Sequence, residues 1–125
     1  MSPRLLAPSL LLLNVGLVSC AQIFLKIGAL KIQGFLGRFT FGEILLKIIF
    51  NPQLILGTFF YVCSLILWVY LLTRIRLSVA YPIMSLSYVT VMAFSFFFFK
   101  ESVNGWQWGG ATLIILGTYI IFSFK

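Results

Sequence analysis

"LLAPSLLLLNVGLVSCAQIFLKIGAL", Leu5–Leu30, decides what kind of protein this is. No side chain from Leu5 to Leu25 is charged. About 20 apolar residues are what an α-helix needs to cross the hydrocarbon core of a bilayer. The run therefore reads as a membrane-spanning helix that continues to about residue 30, with Pro8 tolerated in its first turns. Gln22 and Lys26 sit one helical turn apart inside it. An ionised Lys at the centre of a span costs about 2.5–3.5 kcal/mol on insertion scales, so such a residue needs a reason to be there.

The rest of the chain has the same character. Hydrophobic residues make up 62% of its 125 residues and charged residues 9%, where a soluble domain carries about a quarter charged. Three further apolar runs follow, at about 53–73, 78–99 and 102–124. They are continuous rather than alternating, which excludes spanning β-strands. Asn51 and Pro52 open the second run as helix cap and first helical residue. Between the first two spans, Phe41–Phe50 places Glu43 and Lys47 at i, i+4, an expected ion pair, with Ile44, Leu45, Ile48 and Ile49 opposite. That is the pattern of an amphipathic helix lying in the headgroup plane. The expected fold is one all-α integral membrane domain over residues 1–125: a four-transmembrane-helix bundle with a short interfacial helix between spans 1 and 2.

The net charge of +7 comes from nine Lys and Arg against Glu43 and Glu101. The basic residues are scattered between apolar runs and build no face that tracks nucleic-acid phosphates, so headgroup anchoring or an anionic substrate fits better. Arg4, Arg74, Arg76 and Lys125 fall on one side of the membrane, Lys31, Arg38, Lys47 and Lys100 on the other. This tie gives no preferred orientation and suits insertion both ways. Cys20 and Cys63 lie in apolar runs, and there is no His; we expect no disulfide, metal site or cofactor. Arg4, the leucine run and "LVSC" (Leu17–Cys20) resemble a lipoprotein signal, but the remaining chain is itself membrane-spanning, so the segment reads as a retained helix. The two carboxylates sit in separate loops and no nucleophile has a base, which argues against an enzyme.

Polar residues inside the spans are the candidate site. Asn14, Gln22 and Lys26, with Ser19 nearby, share one side of the first helix at steps near four. Such a stripe must face protein or a wet cavity, although Lys26 has the alternative of snorkelling to the headgroups. In the third span Tyr81, Ser85 and Tyr88 form a second stripe, or pack as ordinary interface aromatics, and Pro82 invites a kink. Arg74 and Arg76 stand at the membrane edge, as anchors or as collectors of phosphate. Gly110 and Gly117, one heptad apart in the fourth span, permit close approach of another helix. Four helices enclose little room, so the cavity is expected between two copies.

Four spans in about 120 residues, with "AYPIMSLSYV" opening the third, "FKES" closing it and "GGATLIILG" in the fourth, resemble the small multidrug resistance family of the drug/metabolite (EamA-like) transporter superfamily. The resemblance implies an antiparallel dimer with alternating access, in contact through Gly110 and Gly117. It also implies a Glu in the first span of drug exporters, and the matching position here is Gln22. Without that acid, proton-coupled export of lipophilic cations loses its chemistry. "AQIFLK" (Ala21–Lys26) and "VAYPIMSLSYV" instead look like the paired subunits that flip aminoarabinose-phosphoundecaprenol. The expected function is thus a flippase for an anionic polyprenyl-phosphate-linked sugar in a bacterial inner membrane. Lys26, Gln22, Asn14, Tyr81, Ser85, Tyr88, Arg74 and Arg76 are its expected binding residues. It would work as a homodimer or with a similar small four-span partner. An exporter of a small metabolite or cation, and a non-transporting subunit, are the alternatives.

Overall fold

A computed structural model describes residues 3–124; Lys125, part of the charge count, lies outside the described residues. The elements are α1 (Pro3–Gln33), α2 (Phe41–Ile49), α3 (Pro52–Leu72), α4 (Leu77–Met84), α5 (Leu86–Phe98) and α6 (Gly105–Ser123). No strand occurs among the described residues. Three helical stretches, Leu6–Gln33, Pro52–Leu72 and Leu77–Phe98, are long and apolar enough to cross a membrane. The chain is a multi-pass membrane protein. The remaining run, α6, is diluted by its opening Gly105-Trp106-Gln107-Trp108-Gly109-Gly110.

Helix ends are set by short polar side chains. Asn51 Oδ1 accepts from the Gln53 and Leu54 amides at 3.0 and 3.2 Å, with Pro52 in the first turn as expected. At α6, Asn104 and Gln107 cap each other reciprocally, at 2.9 and 2.8 Å, so this helix starts three residues later than the apolar run.

The strongest contact in the fold joins α1 to α3. Asn14, Ala21 and Gly28 recur every seven residues on α1 and are buried, and so do Gly57, Ser64 and Leu71 on α3. Between lipid-solvated helices, small residues allow the close backbone approach that dispersion needs. A Cβ added to Gly57 would lie 2.9 Å from Leu25 Cγ and 3.1 Å from the Ala21 carbonyl; one at Gly28 would lie 2.5 Å from Leu54 Cδ2. Within this contact the Ser64 hydroxyl donates to Asn14 Oδ1 at 2.8 Å. Leu11, Leu71, Ala80 and Ile83 extend the packing to α4.

The third run is two helices, not one. Pro82 has no N–H to donate, and the helix breaks three residues later, at Ser85. In a bilayer core the freed carbonyls find no water, and hydroxyls serve instead. Thr118 Oγ1 of α6 donates to the Pro82 carbonyl at 2.8 Å, the Ser85 hydroxyl donates to the same oxygen, and the Ser87 hydroxyl donates to the Met84 carbonyl at 2.7 Å. Helix α6 packs on α4 and α5. Its buried residues are Ala111 and Thr118, while Cβ atoms added at Gly110 or Gly117 would meet nothing within 4 Å.

Helix α2 exists where expected, but its ion pair does not. Glu43 Oε2 accepts from the Thr40 amide (2.8 Å) and hydroxyl (2.9 Å). The Lys47 ammonium instead lies over the rings of Phe35 and Phe39, 4.1 and 4.9 Å from their centroids. The carboxylate is better satisfied by two donors at the helix start than by a flexible ammonium a turn away, and the ammonium gains two ring faces. No residue of α2 is buried.

Gly57→Ala must displace Leu25 and crowd a fixed carbonyl, so it should destabilise the fold by about 1–3 kcal/mol, whereas Gly110→Ala should leave it unchanged; thermal melts of the monomeric protein in detergent would decide. The Thr40 amide, then its hydroxyl, then the Lys47 charge hold the Glu43 carboxyl below the usual carboxylate range. A lowered folded pKa means that its contribution is present above the unfolded value and is lost as pH falls through the folded one. The helical Cα shifts of residues 41–44 should hold at neutral pH and fade in acid, and Glu43→Gln should remove that dependence.

Candidate functional site

Residues 14, 18, 22 and 26 of α1 lie four apart, and each step turns about 40° around a helix of 3.6 residues per turn. The stripe therefore winds, and its members meet different neighbours. Asn14 and Val18 border a cavity of about 240 Å³ between α1, α3 and α4, with Tyr61, Trp68, Tyr81 and Met84 around it. Val18 and Gln22 border a second, of about 310 Å³, with Ser87, Tyr88, Val91 and Met92 of α5. Val18 is common to both, so the two make one groove along α1. Gln22 Nε2 donates to the Tyr61 hydroxyl at its middle, and the Trp68 and Tyr81 rings meet edge to face at 5.5 Å.

The groove is mostly apolar; its polar points are the amides of Asn14 and Gln22, the hydroxyls of Ser64 and Ser87, and the phenols of Tyr61, Tyr81 and Tyr88. That composition suits an amphiphile: chain-like parts against the walls, a few uncharged polar groups to orient a headgroup. No group of three His, Cys, Asp or Glu side chains able to hold a metal occurs among the described residues.

Four of the residues expected in the site lie at or beside this groove. Gln22, Tyr81 and Tyr88 line it and are exposed, the two tyrosines at 60% and 72%. Asn14 reaches its floor but is fully buried. Its amide oxygen is taken by Ser64, and its Nδ2 lies 3.5 Å from Met84 Sδ. It works first as a clasp between helices.

Ser85 is not in the groove. Its hydroxyl serves the Pro82 carbonyl and lies 3.4 Å from Thr118 Oγ1, toward α6, because the helix break needs it there. Lys26 is not in mid-span either. Its Nζ lies 2.8 Å from Glu101 Oε1 in the α5–α6 connection, and both side chains are 43% exposed. One turn further along α1, Gly28 meets the first turn of α3 through Leu54, and Asn51 Nδ2 lies 3.5 Å from its carbonyl. Lys26 thus stands at the end of the bundle, where α3, α5 and α6 have their ends.

Arg74 belongs to the opposite end. It borders a cavity of about 280 Å³ with Leu6, Ala7, Leu10 and Tyr70, and its guanidinium lies 5.8 Å from the Tyr70 ring centroid. Leu10 and Lys26 are sixteen residues apart, about 24 Å along the helix, so Arg74 and Lys26 cannot hold one phosphate together. Arg76 is exposed at the start of α4. Gly110 and Gly117 are on α6, outside the groove lining.

Three participants escape a sequence reading. Tyr61 and Trp68, seven apart on α3, face the groove with Ser64 between them; their heptad spacing is the sequence signal for them, inside a run that is otherwise almost uniformly hydrophobic. Glu101 was visible as one of two carboxylates, but its pairing with Lys26 depends on where α5 ends.

Comparison with known proteins accords with this architecture. The model of the EamA-like transporter family matches residues 4–123. A protein of Klebsiella pneumoniae (strain 342), named as a probable 4-amino-4-deoxy-L-arabinose-phosphoundecaprenol flippase subunit ArnF, is 34% identical over 122 residues, covering 89% of this chain and 90% of its own length. One of Aeromonas salmonicida (strain A449), named as the probable ArnE subunit of such a flippase, is 38% identical over 73 residues, 58% of this chain and 64% of its own length. The ArnE relative of Pectobacterium atrosepticum is 34% identical over 84 residues, 67% of this chain and 66% of its own. The chain thus spans somewhat less than two thirds of these ArnE relatives. No solved structure matches it. With its sequence matched by the family model almost from end to end, the chain belongs to the EamA-like transporter family.

Proposed function

We propose that the chain is a flippase subunit that moves an anionic polyprenyl-phosphate-linked sugar lipid across a bacterial inner membrane. The observation that carries this is the groove along Val18 and Gln22: apolar-walled, polar at a few points, and open along one side. A polyprenyl tail stays in the bilayer while the sugar and phosphate pass along such a surface, with fixed dipoles replacing part of their hydration. The relatives' names, which specify an amino-sugar phosphoundecaprenol, support this substrate class.

In this reading the spans are α1, α3, the broken pair α4–α5, and α6, with α2 lying in the headgroup plane. The apolar side chains of α2, all unburied, suit that position. Cations at the two ends of the groove meet the phosphate in turn, Arg74 and Arg76 at one face and Lys26 near the other. The open groove and the unfilled glycine face of α6 call for a second chain, either an antiparallel copy or a similar four-span subunit; the relatives' designation as subunits supports the latter. The break at Ser85 supplies a joint for alternating access. Gln22 in place of a carboxylate removes the group that would bind protons and lipophilic cations in alternation.

The test uses Trp68, which borders the groove. Tryptophan fluorescence of the purified protein is titrated with undecaprenyl phosphate and, in parallel, a lipophilic phosphonium. Saturable binding of the phosphate lipid, weakened about tenfold in Lys26→Ala as loss of a charge-assisted contact implies, is the expected result. Binding of the phosphonium alone would return the chain to the exporters.

A further inference from the structure

Glu101 has no role in the reading above, yet it is the present partner of the cation that reading needs. Its position is fixed from the backbone. Lys100 takes a left-handed conformation, φ 52°, and the Glu101 amide reaches back to the Ser95 carbonyl at 3.2 Å. The carboxylate is therefore held by a turn at the end of α5, while its partner ammonium rides on the flexible four-carbon stem of Lys26. Lys26 is one turn, about 6 Å, along α1 from Gln22, so the pair stands one turn beyond the Gln22 end of the groove. Both partners are partly exposed and in reach of a ligand.

An occupied ion pair is selective in a way a free lysine is not. A lone phosphate at Lys26 has to share the ammonium with Glu101 and puts a second anion beside that carboxylate. A lone cation at Glu101 has to share the carboxylate with Lys26 and sits beside that ammonium. A headgroup with both a phosphate and a primary ammonium replaces both partners at once and leaves no charge unpaired. The pair thus holds either single charge, but less tightly than the combination.

We propose that Lys26 and Glu101 are a two-pronged site for a zwitterionic lipid headgroup, the phosphate taking Lys26 and the ammonium taking Glu101. This rests on the groove being a lipid-headgroup site. The ammonium-plus-phosphate chemistry has two sources in a bacterial membrane, an amino sugar on polyprenyl phosphate or phosphatidylethanolamine, and the experiment separates them.

Binding is measured on the full chain in nanodiscs of phosphatidylcholine and phosphatidylglycerol. The probes are a polyprenyl-phosphate-linked amino sugar, its N-acetylated form and phosphatidylethanolamine. The free amine should bind about tenfold tighter than the acetylated form, the worth of one charge-assisted contact. Glu101→Gln should bring the two within about twofold, as for an interaction no longer made, by weakening the amine form alone. Glu101→Asp, which keeps the charge, should retain the preference. Phosphatidylethanolamine binding that depends on Glu101 while both polyprenyl lipids fail would support the site and overturn the flippase reading. Equal binding of the amine and acetylated lipids by the unaltered protein would overturn the site and leave the flippase reading standing; this comparison needs no variant to fold. An amine preference that survives in Glu101→Gln would also overturn it.

Discussion

The close approach of α1 to α3 is the constraint on which the other positions depend. In lipid there is no hydrophobic gain from hiding leucine against leucine, so two helices associate where their backbones come near enough for dispersion and for a polar contact. Gly28 and Gly57 provide the approach, and the Asn14–Ser64 hydrogen bond provides the contact. With α3 fixed on one flank of α1, the stripe that starts at Asn14 is left facing the gap toward α4 and α5. The groove is what remains uncovered when one face of α1 is committed. Tyr61 and Trp68 border it because they share a side of α3 with Ser64.

The second organising fact is the absence of water for broken backbone. Pro82 interrupts the third run, and three hydroxyls, from Ser85, Ser87 and Thr118, take the carbonyls that result. One of the three comes from α6. The packing of α6 is thus tied to the break by a hydrogen bond as well as by Ala111, and Ser85 is withdrawn from the groove for the same reason. A serine beside a proline in a spanning helix serves the backbone before it serves a ligand.

Much of this was legible in the sequence. Uninterrupted apolar length gives the spanning helices, Asn51-Pro52 gives the start of α3, and Pro82 gives a distortion of the third run, because these are local effects. The polar stripe of α1 was legible too, but only as a stripe: a spacing of four places residues on one side without saying what faces each of them. Asn14 turned out to meet Ser64, Gln22 to meet Tyr61, and Lys26 to meet Glu101, three partners on two other segments. Similarly, Glu43 and Lys47 have the spacing of a pair, but Thr40 and two phenylalanine rings outcompete it. Local pattern fixes which residues are available to one another; the choice among available partners is made by tertiary neighbours.

Helix α1 has 31 residues, about 46 Å of rise, against a hydrocarbon core of about 30 Å. Tilt within the usual range does not absorb that difference, so α1 extends beyond the core, and Lys31 in its last turn suits the headgroups. The Lys26–Glu101 pair, half-exposed at the end of the bundle, is on the side of the helix nearest that last turn. Charges attract more strongly as the surrounding dielectric falls, so each ångström toward the core tightens this contact and each ångström outward loosens it. How deeply α1 sits is set in turn by the thickness of the membrane around it. A thinner or thicker bilayer would thereby change how firmly Glu101 holds Lys26, without any lipid having to enter the groove.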